Sequence, residues 1–148
     1  MLAFVMRILG VDPGTHHLGF SILEVDGPDV RCLDSGCLEA GKRDPLELRL
    51  HVLHQGLAEL ATRWHPEHLA VEEPFVAPAR GAKSAVMVGQ AQALALLVAA
   101  DNGLEVYRYA PSAVKAAAAG YGASSKEQVQ RALRLLLSLG PEPISTDA

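Results

Sequence analysis

The chain has 148 residues, a formal net charge of −4, 49% hydrophobic residues and 20% charged residues. These values suit one compact domain with a single core and exclude a disordered tail. The longest apolar stretch, residues 91–100, is too short to cross a bilayer, so no membrane association is expected. An acidic chain is an unusual partner for nucleic acid unless some of its acids bind metal ions, which reverse the local charge.

Cys32 and Cys37 are the only cysteines, and both fall in a predicted strand. A disulfide between them is not expected there, and a metal site built from the pair is expected even less. The apolar start of the chain, residues 1–6, is too short for a signal peptide and lacks a cationic beginning. We therefore predict two reduced thiols in a cytoplasmic protein.

Three strands are predicted first. Residues 6–12 (MRILGVD) are an apolar run typical of a buried central strand, and a Pro-Gly pair ends it with a turn. Residues 19–25 (GFSILEV) and 30–38 (VRCLDSGCL) are predicted to pair as a hairpin, because Asp26-Gly27 between them is a strong turn signal.

A helix is predicted next, with Asp44 as its N-cap and Pro45 as its first residue. Its apolar residues recur close to the helical period, and Pro66 ends it. A short strand follows at residues 69–72 (LAVE). The apolar stripe of the helix consists of Leu46, Leu50, Leu53, Leu57, Leu60 and Trp64.

The second half of the chain is mainly helical in pattern. Residues 83–101 are rich in Ala and Leu and almost uncharged, which predicts a helix buried on more than one side, against the sheet and against a second subunit. A fifth strand is predicted at residues 104–109 (LEVYRY), a short helix at residues 111–119, and a last helix opened by a capping box at residues 124–127. Strands and helices in this order predict an α/β fold.

Three acidic residues occupy informative positions. Asp12 ends the first central strand, Glu72 ends the next strand able to lie beside it, and Asp147 follows a proline-bounded loop. Groups at strand ends converge on one crevice of an open α/β sheet, and carboxylates gathered there without cations repel one another. Such an oxygen-rich site favours Mg²⁺ or Mn²⁺, and two ions about 3.5–4 Å apart promote phosphodiester hydrolysis. Each acid alone also fits a turn or a solvated strand end, so position alone gives only a candidate site.

Four segments, in order along the chain, carry a family resemblance. They are MRILGVDPGTHHLGF, LAVEEPF, VGQAQALALLVAA and VYRYAPSAVKAAAAGYGASSKEQV. Together they resemble the first hairpin, the segment with the second acid, the long central helix and the stretch before the last helices of the bacterial RuvC-type Holliday-junction resolvases. The resemblance runs from about residue 6 to residue 147, and four ordered motifs are specific where one would be weak. It implies a ribonuclease-H-like fold with a five-stranded mixed sheet flanked by helices, as a single nuclease domain over residues 1–148.

The resemblance also implies a catalytic site. Carried over position by position, Asp12, Glu72 and Asp147 would be the ligands of two Mg²⁺ or Mn²⁺ ions. Lys115 and Lys126 would lie near the scissile phosphate, where a cation offsets charge in the transition state. The expected activity is hydrolysis of DNA phosphodiesters at four-way junctions, by paired symmetric nicks in recombination and repair.

Other matching positions imply DNA contacts. Phe75 falls where the family places an aromatic near the junction centre, and it is either a wedge against a base or a core residue. Arg80 and Lys83 would contact phosphates without reading sequence. His16 and His17, close to Asp12, are open to a phosphate contact or to a plain role in the turn.

The C-terminus departs from the family pattern. The family ends its site with an Asp or His, two intervening residues and a second Asp on the final helix. Asp147 is taken to fill the first of these positions, and since the chain ends at Ala148, the last acid and its helix are expected to be missing. In the alternative alignment Asp147 is the final acid and Ile144 replaces a ligand. Either way, the site is expected to be incomplete.

The expected partners are four-way junction DNA and a second copy of the chain, with a helix over residues 86–100 in the dimer interface, because the junction offers two equivalent strands. A branch-migration complex is a candidate further partner. Three other functions remain open: a non-catalytic junction-binding module, a related ribonuclease-H-like enzyme that processes ribosomal RNA, and a sugar kinase or actin-like ATPase. The last shares the opening hairpin with Asp12 and Gly14 but needs a second half-molecule to enclose nucleotide.

Overall fold

The structure, a computed structural model, describes residues 5–73 and 81–109. Each predicted strand and helix within these ranges is present, with ends that differ from the prediction by at most two residues. The helices predicted after residue 110 lie outside the described residues. The elements are β1 (Val5–Asp12), β2 (His17–Asp26), β3 (Asp29–Glu39), α1 (Leu46–Trp64), β4 (His68–Glu72), α2 (Gly81–Asn102) and β5 (Glu105–Tyr109).

The five strands form one sheet in the order β3-β2-β1-β4-β5. β1 is antiparallel to β2, and β2 is antiparallel to β3. β4 is parallel to both β1 and β5. Parallel neighbours need a crossover connection, and α1 and α2 supply the two that this sheet requires. The prediction of a five-stranded mixed sheet flanked by helices is confirmed.

The hairpin between β2 and β3 turns where the sequence predicts it. Asp26 pairs with Asp29, and Gly27 between them has φ +56°, a conformation that glycine adopts without steric cost. The pairing is not regular along its whole length, since the register shifts by one residue between Ile22 and Leu23. A shift of this kind is a β-bulge, and it changes which residues face each other at the far end of the hairpin.

One face of the sheet carries the hydrophobic core. Leu9 and Val11 of β1 are buried on this face, as are their β4 partners Leu69 and Val71. Both helices cover it, because alternate residues of the strands and one side of each helix are apolar. The helix residues buried in the same cluster are Leu53, Leu57, Leu60, Ala61, Leu94, Ala95, Val98 and Ala99.

Helix α1 begins differently from the prediction. Asp44 is not its N-cap: Pro45 takes that position with extended backbone angles (φ −61°, ψ 155°), and no side chain caps the helix. Proline disfavours helical angles in the residue before it, so Asp44 is held outside the helix, and the Pro45 carbonyl accepts the first hydrogen bond, from Arg49 N at 3.1 Å. At the other end, His65 is left-handed (φ 48°) and donates its N–H to the Ala61 carbonyl.

Helix α2 is long and apolar enough to cross a membrane by length and composition alone, with a mean hydropathy of 1.4 over its most apolar part. The sequence prediction that no segment crosses a membrane considered only residues 91–100, and α2 is longer than that stretch. A buried helix of a water-soluble domain meets the same criterion. α2 packs against α1 and β4 on one side, but only 28% of its most apolar part is buried, so contacts within the described residues account for only part of its apolar composition. The residues it buries are Ala91, Leu94, Ala95, Val98 and Ala99.

Candidate active site

Asp12 is the last residue of β1 and is half-buried. The turn that follows is packed rather than solvated, since Pro13 and Thr15 are both buried. At Gly14 an added Cβ would lie 2.2 Å from the His17 carbonyl oxygen, so the chain closes on itself there and only glycine fits. This turn fixes the direction in which β1 presents Asp12.

Glu72 is the last residue of β4, which lies beside β1. The register of the two strands is set at their N-terminal ends, where Glu67 and Arg7 form two hydrogen bonds. Glu67 N donates to the Arg7 carbonyl at 3.0 Å, and Arg7 N donates to Glu67 Oε2 at 2.6 Å. The ladder then runs along the strands to the Val11–Val71 pair, and Asp12 and Glu72 are the next residue on each strand.

Asp12 and Glu72 therefore lie side by side at the carboxyl ends of two parallel strands. Neighbouring strands are about 4.8 Å apart. Val11 and Val71 point into the core under the helices, so the residues that follow them point to the opposite face of the sheet. The two carboxylates share that face, as a metal site built from both would require.

Two described residues, one beside Glu72 and one in the turn after Asp12, were not singled out from the sequence. Tyr109 pairs directly with Glu72 across β4 and β5, and its carbonyl accepts a 2.7 Å hydrogen bond from Glu73 N. This bond holds the chain in place where it leaves β4. Thr15 is 4% exposed in the turn after Asp12. No signal in the sequence distinguishes Thr15 from a threonine in a solvated turn. The pairing of Tyr109 with Glu72, in contrast, can be predicted once β5 is placed beside β4.

The face that carries the two acids also holds an open groove of about 230 Å³. It runs along β1, β4 and β5, and Tyr109, the partner of Glu72, lies at one end of it. A hydrogen bond with Glu105, with desolvation as a smaller cause, raises the pKa of the Tyr107 hydroxyl. The groove is lined by Met6, Ile8, His68, Ala70, Tyr107 and Tyr109.

The two arginine side chains near the start of β1 take part in a cluster of ion pairs and hydrogen bonds. Arg7 Nε binds Glu24 at 3.1 Å, Arg31 binds the other oxygen of Glu24, and the Arg7 guanidinium also donates to the Trp64 carbonyl at 2.8 Å. Hydrogen bonds from Arg31 and then Arg7 lower the pKa of the Glu24 carboxyl. The cluster sits at the end of β1 remote from Asp12, so it stabilises the sheet and leaves the charge around the acidic pair unchanged.

Lys83 is exposed in the first turn of α2. α2 joins the end of β4 to the start of the parallel strand β5. It therefore runs antiparallel to β4 and begins at the carboxyl end of the parallel strands, where Glu72 lies. The structure thus brings one predicted DNA-contact residue to the same end of the sheet as the two acids. The other predicted site residues, Asp147, Lys115, Lys126, Phe75 and Arg80, lie outside the described residues.

The pair fits a hard divalent cation by its donor chemistry. Both groups are half-buried carboxylates on adjacent strands, and a cation held between them would offset the repulsion between their charges. Oxygen donors of this kind are preferred by Mg²⁺, Mn²⁺ and Ca²⁺ over softer metals. Asp12 and Glu72 are therefore the described residues that would hold such an ion.

Comparison with known proteins gives the family. The family model of crossover junction endodeoxyribonuclease RuvC matches residues 8–148. The chain belongs to the RuvC family. Its relatives include the RuvC protein of Chloroflexus aggregans, 43% identical over 143 residues that cover 97% of this chain and 86% of the relative. The RuvC protein of Dehalococcoides mccartyi strain 195 is 39% identical, also over 97% of this chain and 86% of the relative.

Solved structures agree with the RuvC assignment. RuvC of Thermus thermophilus in complex with Holliday junction substrate has a TM-score of 0.87 and 34% sequence identity, covering 96% of this chain and 86% of that chain. The yeast mitochondrial Holliday junction resolvase Ydc2 has a TM-score of 0.61 at 11% identity, over 86% of this chain and 62% of that chain, and so supports the fold alone. The resemblance and the ribonuclease-H-like fold expected from the sequence are both confirmed.

Proposed function

We propose that this chain resolves four-way DNA junctions and that Asp12 and Glu72 are the core of its catalytic site. As a member of the RuvC family of crossover junction endodeoxyribonucleases, it is a hydrolase that acts on DNA phosphodiesters and depends on divalent metal. Binding of junction DNA is supported by its similarity to a relative solved with that substrate. The observation that carries the residue assignment is the register that sets Asp12 beside Glu72 on one face of the sheet.

The finer assignment is that Mg²⁺ or Mn²⁺ is the metal, that two ions are used, and that Asp147 is a third ligand. Cations bound by these carboxylates would supply an activated water and offset the charge that develops on the phosphate. The protein's own part is positional: the packed turn after Asp12 and the ladder that ends at Val11 and Val71 hold the carboxylates at fixed places. Lys115 and Lys126 are proposed to neutralise the phosphate.

The test is a cleavage assay on a synthetic four-way junction, with linear duplex and RNA of matched length as competitors, in Mg²⁺ or Mn²⁺. Asp12→Asn and Glu72→Gln should each reduce cleavage by at least about 100-fold, because even an outer partner of a metal ligand is worth about 10–100-fold. Junction binding, measured by gel shift in Ca²⁺, should persist in both variants.

Glu73→Gln is the matched control, since Glu73 is exposed next to Glu72 and contributes a backbone bond that the substitution leaves in place. Near-normal cleavage is expected from it. Full activity in either Asp12→Asn or Glu72→Gln would refute the site. A preference for RNA would favour the ribosomal RNA alternative. Binding without cleavage in Mn²⁺, by the unmodified chain and by a C-terminally extended version alike, would favour the non-catalytic module.

We also propose a homodimer that uses the outer side of α2. Val86 and Leu97 are 58% and 54% exposed, and with Ala93 and Ala100 they form an apolar stripe on the side of the helix turned away from the core. A stripe of this kind is a typical subunit contact, and two-fold symmetry would place two equivalent sites on the two strands of a junction.

The dimer is tested by the molar mass of the chain in light scattering. Leu97→Glu should shift the protein towards the monomer and reduce paired nicking more than single nicking. Leu48→Glu is the control, because Leu48 is equally exposed (50%) on α1. A dimer that persists in Leu97→Glu, or dissociates equally in Leu48→Glu, would place the interface elsewhere. A branch-migration partner and a cytoplasmic location stay predictions.

A further inference from the structure

A second group of metal-ligating side chains lies away from the acidic pair. His17 begins β2, and Cys37 and Glu39 lie near the end of β3. One donor atom from each of the three side chains lies within 4.8 Å of the other two. The donors are an imidazole nitrogen, a sulfur and a carboxylate oxygen, a mixture unlike that of the hard-cation pair.

The β-bulge creates this group. Counted outward from the turn in regular register, His17 would face Leu38, but the one-residue shift between Ile22 and Leu23 sets it opposite Glu39 instead. His17 and Cys37 then lie two positions apart on the same face, since Cys37 pairs with Gly19. Gly19 has no side chain, so the space between the three donors is not filled from β2.

The distances suit a tetrahedral ion after small side-chain movements. Metal–ligand bonds of about 2.0–2.3 Å at tetrahedral angles place donor atoms roughly 3.3–3.8 Å apart. His17 Nδ1 and Glu39 Oε1 are already 3.7 Å apart. These two side chains are 45% and 72% exposed, so an ion reaches them from solvent and a rotation about the side-chain bonds closes the remaining gap to Cys37.

We propose that His17, Cys37 and Glu39 form a binding site for Zn²⁺ or a cation of similar softness, with a water as the fourth ligand. Nitrogen and sulfur donors select zinc over Mg²⁺, and three protein ligands leave one position open. On binding, the Cys37 thiol releases its proton to solvent and the thiolate becomes a ligand. The ion joins the start of β2 to the end of β3 and so clamps the far end of the hairpin.

The site is distinct from the catalytic pair but lies on the same row of the sheet. Asp12 pairs with Gly19, and Gly19 pairs with Cys37, so the two sites share a face and are separated by one strand. Two strand spacings amount to about 10 Å. A dication at this distance is too far to share ligands with the acidic pair, so each site should bind its own metal without the other.

Co²⁺ is the probe, because a thiolate ligand gives it a charge-transfer absorption in the near ultraviolet that oxygen ligands do not give. When Co²⁺ is added to the reduced chain, from which other metals have been removed, this band should appear and reach its maximum at one equivalent of Co²⁺. Cys37→Ser should lose the band and bind Co²⁺ at this site at least about tenfold more weakly. Cys32→Ser is the matched control, because Cys32 is the other half-buried thiol of β3 and lies outside the group. Asp12→Asn should keep the band.

A second measurement needs no substitution. Zn²⁺ should slow alkylation of Cys37 in the unmodified chain and leave Cys32 unaffected, as read by peptide mass mapping, while Mg²⁺ should protect neither. The proposal fails if the unmodified chain gives no thiolate band, if Cys32→Ser loses it, or if Zn²⁺ does not protect Cys37 selectively. Loss of the band in Asp12→Asn would mean that the metal belongs to the catalytic pair, which also refutes a separate site.

Discussion

Asp12 and Glu72 occupy the same row of the sheet, one step beyond the Val11–Val71 pair that joins β1 to β4. Their side chains point away from the core, towards the same open face. Two like charges fixed on neighbouring strands destabilise the fold unless something neutralises them. The pair therefore links metal binding to the stability of the sheet.

Divalent metal should stabilise the chain against unfolding through this pair. A ligand that binds only the folded state adds about 2.7 kcal/mol at a concentration of 100 times its dissociation constant. Addition of Mg²⁺ or Mn²⁺ should therefore raise the melting temperature, and EDTA should reverse the rise. Asp12→Asn and Glu72→Gln should abolish the effect, and Glu73→Gln should keep it. An unchanged shift in Asp12→Asn would show that the stabilising ion binds elsewhere.

Lys83 should contribute to junction binding by charge alone. Lys83→Ala is expected to weaken binding equally for junctions of any sequence and to reduce the salt slope of the binding constant by about 1, because one phosphate contact releases about one counterion. Fluorescence anisotropy at several salt concentrations measures both quantities. Lys42→Ala removes another exposed lysine, before α1, and is the control. Equal effects of the two substitutions would indicate a general loss of charge rather than a contact at Lys83.

The turn after Asp12 should not tolerate a side chain at Gly14. The added Cβ in Gly14→Ala would lie 2.2 Å from the His17 carbonyl oxygen, so the turn must move and displace Asp12. We expect cleavage to fall by about 100-fold, in line with the cost of misplacing a catalytic group by about 1 Å, with circular dichroism showing a retained fold. Gly89→Ala is a control for folding stability only, because Gly89 lies beside the α2 stripe proposed for the dimer: nothing within the described chain lies within 4 Å of its Cβ, and alanine should add up to about 1 kcal/mol of helix stability.

Glu24 should make the fold sensitive to acid. Its pKa is lowered in the folded chain by hydrogen bonds from Arg31 and Arg7, so the ionised form stabilises the fold. This stabilisation is complete above the ordinary carboxyl pKa of 4.5 and is lost as the pH falls towards the lower folded value. Urea denaturation between pH 7 and pH 3 should show a smaller loss in Glu24→Gln than in the unmodified chain. Glu59→Gln, on the exposed side of α1, should retain the full pH dependence.

Patterns within a short window predicted most of the fold. The apolar run of β1, the Asp26-Gly27 turn and the leucine stripe of α1 depend on neighbours close in sequence, and each lies where it was predicted. Asp44 is not the N-cap because Pro45 restricts the backbone of the residue before it. Which of the two residues is the N-cap depends on their φ and ψ angles rather than on side-chain type.

Relationships between distant strands were harder to predict. The candidate positions of Asp12 and Glu72 came from strand ends, but their common face depends on a register set by Glu67 and Arg7. The group around His17 was missed because a single-residue bulge decides which residues face it, and no composition signal reveals a bulge. The family resemblance supplied the roles that are predicted for the acids, which the patterns alone left open.

The parallel contact between β1 and β4 joins positions 60 residues apart, as in the bond between Arg7 and Glu67. During synthesis, the first three strands emerge from the ribosome as a meander that carries Asp12 without its neighbour. Only when α1 and then β4 have followed can the second carboxylate dock. On the proposed assignment of the site, a partial chain that ends before Glu72 holds only one of the two carboxylates and is expected not to cut DNA, so cleavage would report that the long-range topology has formed.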